Sequence, residues 1–287
     1  MKGLSSRASQ RRGVGPVTRY PITRFRTAFT PGASAAQYPS VKQVGGIVKT
    51  QLENFVDLLY PRSCAYCGEA VEEREPCPHL CGPCVRRIHR VRSPACSVCG
   101  YPFFGRIEAD RECPHCYLLR PVFGAGRTAV LLKGPARELI HGVKYRGERH
   151  LLRDIRAILT GADEVLGFVA GSVLVPVPLH PRKQRERGFN QSRLLAGLLV
   201  ELVERTEVRE LLCRRSDTES QTRFDRAERQ KNLKNAFAIA DNLSLNKRER
   251  YVLVDDVFTT GSTLNSCASA LRRGGAKNVD VVTFGHG

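Results

Sequence analysis

The chain has 287 residues, 41% of them hydrophobic, and a formal net charge of +18. That length holds one large domain and a smaller one, and the charge favours polyanionic partners or substrates. No run reaches the apolar length of a membrane span and none has the character of a signal-peptide core, so an integral membrane segment is excluded and a reducing, cytoplasmic setting is expected.

Half of the excess charge is local. Residues 1–50 hold nine Lys and Arg and no Asp or Glu. Residues 1–47 are rich in Arg, Ser, Pro, Gly and Thr, without periodicity, and read as a disordered basic tail. A nucleic-acid-binding arm and an organelle transit peptide are the functional alternatives, because both are Arg-rich and acid-poor. Val48 to Tyr60 has Leu52, Phe55, Val56 and Leu59 on one helical face, and Pro61 ends it.

Nine of the eleven cysteines fall in residues 64–116, and eight of them form two identical units. The first is Cys64, Cys67, Cys81 and Cys84. The second, Cys96, Cys99, Cys113 and Cys116, repeats it 32 residues later. Each close pair aims two thiolates at one point, and two pairs complete a tetrahedral four-thiolate site of the structural Zn²⁺ type. An iron–sulfur cluster and a redox-active pair are the competing explanations. Cys77, His79, His89 and His115 fall outside the repeat and are expected to be bystanders. A closed four-thiolate site has no open coordination position, so two structural zincs without a catalytic role are expected.

Pro121 to Leu132 reads as a hairpin or strand pair, and Gly134 to Tyr145 as a short helix. The basic Lys144-Tyr145-Arg146-Gly147 has two readings, facing an anionic ligand or forming a solvated helix end. A helix is expected over Leu151–Leu166, a buried strand over Ser172–Pro178, and a helix over Arg193–Arg205 capped by Asn190 or Ser192. Cys213 to Phe237 is polar and lacks periodicity. Within it Arg214, Gln221, Thr222, Arg229, Asn232 and Phe237 stand out. A strand end follows at Ala236–Ala240, and Val279–Phe284 forms a last buried strand.

The most informative stretch is Tyr251–Leu264, YVLVDDVFTTGSTL. A short β-branched strand leads into Asp255 and Asp256. Thr259, Thr260, Gly261, Ser262 and Thr263 then open a helix. Such a loop directs backbone N–H groups and a helix dipole at one anion, and its hydroxyls add donors. The adjacent acids suit sugar hydroxyls or Mg²⁺. Phosphate and diol together describe a ribose 5-phosphate. No Walker A sequence occurs in the chain.

This stretch closely resembles the 5-phosphoribosyl 1-pyrophosphate (PRPP) signature of type I phosphoribosyltransferases. The chain from about residue 50 onward resembles the ComF family. The resemblance is carried by the paired ribbons, the KYRG-like segment at Lys144–Gly147, VPVPLHPRKQRERGFNQS at Val175–Ser192, the segment Gln221–Phe237, and VLVDDVFTTGSTL at Val252–Leu264. Phe258 stands where a small aliphatic residue is common. The resemblance implies an α/β fold of the type I phosphoribosyltransferase kind, a parallel sheet with helices on both faces, preceded by a small double zinc-ribbon module. The implied organisation is a tail over 1–47, ribbons over 48–120 and a phosphoribosyltransferase domain over 121–287.

The resemblance also implies PRPP as ligand with Mg²⁺. Asp255 and Asp256 would hold the ribose hydroxyls, Thr259 to Thr263 the 5-phosphate, and His180, Arg182, Lys183, Arg185 and Arg187 the pyrophosphate. A mobile loop over Cys213–Phe237 would close on the site. The implied activity is transfer of ribose 5-phosphate to an unknown nucleophile, linked to DNA uptake and to partners in the competence machinery. The alternative is a non-catalytic factor binding single-stranded DNA and sensing a nucleotide.

Overall fold

The computed structural model describes residues 62–73, 75–214, 236–241 and 243–287. The basic tail, the helix expected at Val48–Tyr60 and most of the polar segment Cys213–Phe237 lie outside the described residues. All described residues belong to one compact unit.

Five parallel strands form the central sheet, in the spatial order β1 (Gly126–Leu131), β7 (Asn278–His286), β6 (Arg250–Phe258), β2 (Val173–Pro176) and β3 (Glu207–Val208). The inner strands are apolar over their central residues, Val173–Pro176, Tyr251–Val254 and Val281–Val282, as strands covered on both faces are. Their side chains alternate between two cores. Leu174, Val252, Val254, Val282 and Phe284 enter one core, and Val173, Val175, Tyr251, Leu253, Val279 and Val281 enter the other. Helix α7 (Gln191–Leu202) follows β2 and contributes Leu195 and Leu199 to the first core. Helix α8 (Ser262–Arg273) follows β6 and contributes Leu264, Cys267 and Leu271 to the second. The chain runs outward from β2 to β3, and in the opposite direction from β6 to β7. The crevice between the C-terminal ends of β2 and β6 is therefore the point at which the winding reverses, where ligands of open α/β sheets bind.

The two ribbons straddle the edge of this sheet. The segment joining them runs antiparallel beside β1, with Val91 N–H donating to the Ala129 carbonyl (2.9 Å) and Leu131 N–H to that of His89 (2.9 Å). An exposed parallel edge is thereby covered. The first ribbon packs into one core through Leu80 and Ile88, and the second into the other beside Phe123. The hairpin expected over Pro121–Leu132 is instead a single strand, β1, whose partner is β7. Gly126 lies so close to the second ribbon that a Cβ there would stand 2.3 Å from the Val98 carbonyl oxygen.

Three further differences concern the helices. The helix expected over Leu151–Leu166 is two helices, α4 (Leu152–Thr160) and α5 (Asp163–Val169). Arg90 Nη1 donates to the Ile158 carbonyl at 2.6 Å and closes α4 before Gly161. The helix after β1 is α3 (Gly134–His141), and it widens into a π turn over Gly142–Arg146, a distortion common at functional sites. The basic segment after β2 contains a helix, α6 (Pro181–Arg187), with Pro181 in its first turn and Gly188 left-handed at its end. On either side of residues 215–235, β4 (Leu212–Arg214) and β5 (Phe237–Ile239) pair antiparallel.

One buried carboxylate joins the first ribbon to the sheet domain. Asp154, fully buried in α4, accepts from the His79 backbone N–H (2.8 Å), and its other oxygen lies 2.7 Å from His79 Nδ1. His79 is no metal ligand, but it is no bystander either. Replacing Asp154 by Leu leaves both His79 donors without an acceptor, at a cost of 1–3 kcal/mol for each group. Asp154→Leu is expected to lower unfolding stability by about 3 kcal/mol in zinc-containing buffer, measured by urea denaturation.

Candidate functional site

β6 is apolar up to Val254 and then delivers the two acids to its C-terminal end. Asp256 is 3% exposed. Its Oδ2 forms an ion pair with Lys144 Nζ, from the π turn after α3. Asp255 Oδ1 accepts from the Ser192 hydroxyl at 2.9 Å and from the Asp256 backbone N–H at 2.9 Å. Burial pushes the Asp255 carboxyl up to about 6, against the opposing pull of the Ser192 hydroxyl and the Lys144 charge. The Lys144 ammonium is in turn pushed down, mainly by burial and then by Arg187 and Lys183, while Asp255 pulls it up.

Beyond the acids the chain turns through Thr259–Gly261 into α8. Gly261 has φ +72°, and a Cβ there would meet the Phe258 ring at 2.6 Å and Leu119 Cδ2 at 2.8 Å. Both the conformation and the space therefore demand glycine. No acidic side chain stands in the first turn of α8 and its N-cap, Gly261, has no side chain to offer, so apart from the Ser262 N–H, 3.4 Å from the Thr260 hydroxyl, its leading N–H groups are left for an anion. The Thr260 hydroxyl lies 3.0 Å from the Ser262 hydroxyl and orders the loop from outside.

These elements surround a cleft of about 270 Å³. Of the residues singled out in the sequence, Asp255, Asp256, Thr259, Gly261, Ser262, Thr263, Lys183 and Arg187 line it. Thr260 does not. His180, Arg182 and Arg185 also do not, because α6 turns them away. The His180 ring accepts from the Arg182 N–H and caps α6, and Arg182 pairs with Glu186 at 3.0 Å. Lys144 resolves the two readings of its segment, since it points at the acids whereas Arg146 pairs with Glu138 and Glu148 at the surface. Arg214 lines the cleft, while Phe237 is buried in the core beneath its guanidinium. Ser192 and Gln191 carry no individual functional reading in the sequence beyond their place in the ComF-like segment Val175–Ser192 and, for Ser192, a candidate helix cap, a role that Asn190 fills. Gln191 accepts from Arg187 at 3.1 Å and so ties α6 to α7.

The cleft is thus lined by the cations Lys144, Lys183, Arg187 and Arg214, by two carboxylates, and by the hydroxyl-bearing loop and first turn of α8. That arrangement can hold a polyanion whose middle carries hydroxyl groups or a bound cation.

The eight ribbon cysteines gather into two sets of four, each set with its ligand atoms within 4.8 Å of one another. Cys67 and Cys81 sulfurs are 3.6 Å apart, and those of Cys99 and Cys113 are 3.8 Å apart. Tetrahedral zinc with Zn–S bonds of ~2.3 Å requires sulfurs about 3.8 Å apart. The chain therefore has two four-thiolate zinc-binding sites. Cys77 is buried apart from both, with its thiol directed at the Asp154 carbonyl, and burial pushes that thiol up to about 12.

Asp256 is too buried to lose its partner cheaply. Removing one member of such a pair strands the other charge, at a cost of about 3 kcal/mol. Lys144→Ala is expected to destabilise the protein by that order, and Lys144→Ala/Asp256→Asn to recover at least about 1 kcal/mol of it in a double-mutant cycle followed by urea unfolding.

The family model of the double zinc ribbon domain matches residues 55–117. Competence protein F of Haemophilus influenzae is 27% identical over 215 residues, covering 70% of this chain and 94% of the relative. DNA utilization protein YhgH of Escherichia coli is 31% identical over 207 residues, covering 70% and 88%. Competence protein ComFC of Bacillus subtilis is 25% identical over 217 residues, covering 73% and 85%. Matches of this length extend well beyond the ribbons, and the chain belongs to the ComF family.

Proposed function

We propose that the cleft binds PRPP with Mg²⁺ and that the protein transfers ribose 5-phosphate to a nucleophile, releasing pyrophosphate, in the service of DNA uptake. The observation that carries this reading is the convergence of three features on one cleft. These are the acid pair of β6, the left-handed Gly261 opening α8, and the cations Lys144, paired with Asp256, Lys183 and Arg187. A plain phosphate cradle has no use for two adjacent carboxylates. The names of the relatives, competence protein and DNA utilization protein, support the link to DNA.

In this reading the 5-phosphate takes the N–H groups and hydroxyls of Thr259–Thr263, and the ribose diol lies over Asp255 and Asp256. Bound Mg²⁺ would neutralise charge on the pyrophosphate, and Asp255 and Asp256 are the residues that would hold it. Lys183 and Arg187 attract the pyrophosphate. The nucleophile forms a bond to the anomeric carbon as the bond to pyrophosphate breaks, pyrophosphate leaves with the electron pair, and the acceptor gives up its proton to solvent. Positive charge builds on the ribose as this happens, and the adjacent carboxylates stabilise it. Lys144, already on Asp256, is positioned to follow the charge as the ligand enters.

A second reading is a non-catalytic factor that binds single-stranded DNA and senses a nucleotide. The net charge of +18 suits it, and so do the exposed rings of Phe104 and Tyr117 on the second ribbon.

Calorimetric titration of the zinc-loaded protein with PRPP and Mg²⁺ separates the readings. Saturable binding is expected for wild type, with at least a tenfold loss for Asp255→Asn/Asp256→Asn. No binding to wild type would defeat the PRPP reading and leave nucleic-acid binding as the stronger one. The pH dependence follows from Asp255. Its folded-state value of about 6 lies above the ordinary 3.8, so the native state holds this proton more tightly than the unfolded chain. Its contribution to stability is thus fully present below pH 3.8 and is lost as pH rises through 6. Ligand binding runs the other way, because the diol and the cation need the carboxylate. PRPP affinity is expected to fall as pH drops below about 6, and Asp255→Asn to flatten that limb.

A further inference from the structure

The second ribbon reaches the phosphate loop, and it does so through an element that has little else to fix it. Helix α2 (Pro114–Leu119) has six residues and buries one, the ligand Cys116. Tyr117 and Leu118 are 66% and 80% exposed. So short a helix is not stable alone, and no broad apolar face holds it. Its place is set by Cys113 and Cys116, hence by the metal that gathers them.

This helix and the residues after it touch the loop and α8 repeatedly. His115, between the two ligands, has Nε2 3.2 Å from the Thr260 carbonyl oxygen. A carbonyl only accepts, so the ring nitrogen donates. Leu119 packs against Gly261, at the distance that leaves no room for a Cβ. The Val122 N–H donates to Asn265 Oδ1 at 2.7 Å, and the Val122 carbonyl accepts from Arg272 Nε at 3.3 Å. The polar tie of the first ribbon runs elsewhere, from His79 to Asp154 in α4.

We infer that the second four-thiolate site braces the loop Thr259–Thr263, with His115 as the positioning residue, so that metal occupancy there sets the order of the loop and occupancy of the first site does not. The consequence for ligand affinity rests on the proposed phosphate role of the loop; the brace itself does not.

The test is amide hydrogen exchange over residues 257–264 in the zinc-loaded full chain, with zinc content measured on the same samples. His115→Phe is expected to keep both zincs and to speed loop exchange about two- to twelve-fold, the effect of losing one net hydrogen bond. His115→Gln offers an N–H at similar reach and is expected to restore slow exchange. Cys113→Ser, which disrupts the second site, is expected to speed loop exchange more than His115→Phe. Cys67→Ser, which disrupts the first, is expected to leave the loop unchanged. If Cys113→Ser does not fold, the His115 pair still decides. Loop exchange in His115→Phe equal to wild type would overturn the brace, as would equal effects of the two cysteine variants. Titration of the same samples with ribose 5-phosphate separates the two ideas. Wild type that fails to bind it while the exchange differences persist defeats the phosphate reading and leaves the brace standing. Wild type that binds it with unchanged exchange in His115→Phe does the reverse.

Discussion

Two adjacent carboxylates at the end of a strand covered on both faces set the terms for their surroundings. Charge brought out of water must be matched. Asp256 is matched by Lys144 from the π turn, and Asp255 by the Ser192 hydroxyl at the start of α7. Those two partners draw the π turn and the N-terminus of α7 toward the end of β6. With α8 following directly, three elements from distant parts of the chain meet at the point where the winding of the sheet reverses. The cleft is a consequence of satisfying the acids as much as of the sheet topology.

The ribbons solve a different problem. Neither four-thiolate unit has a core of its own, so each is completed by the face of the sheet it adjoins. The linker between them covers the free edge of β1. The 32-residue repeat in the sequence thus becomes two unlike structural roles. One unit is anchored to α4 by a buried carboxylate, and the other stands against the loop Thr259–Thr263. Repeats in sequence fix the metal sites, while the surroundings of each copy fix what it holds in place.

What was legible in the sequence was what local chemistry determines. β6, β7, α7 and α8 each carry a continuous apolar run or face, and they lie within a few residues of their expected bounds. The eight thiols were assigned by spacing alone. α6 was missed as a helix because it buries no residue and so has no periodicity; Pro181 and Gly188 were the available signals. The break at Gly161 depends on Arg90, some 70 residues away, and no local pattern announces it. His180, Arg182 and Arg185 were grouped with Lys183 and Arg187 by charge. Helical geometry separates them, turning Lys183 and Arg187 toward the cleft and the others away. Lys144 was recognisable as basic, but its pairing with Asp256 is a tertiary fact. The same holds for His115, whose neighbours in sequence are metal ligands and whose partner is Thr260.

Whether the cleft is a ribose-phosphate site or a general anion trap decides the proposed function. A crystal structure of the zinc-loaded protein grown with PRPP and Mg²⁺ tests it most directly. The account predicts the 5-phosphate on the N–H groups of Gly261–Thr263, the diol over Asp255 and Asp256, and the pyrophosphate toward Lys183 and Arg187. A ligand bound outside this cleft, or seated in it with its pyrophosphate on the α8 N-terminus and its ribose away from both acids, would contradict it.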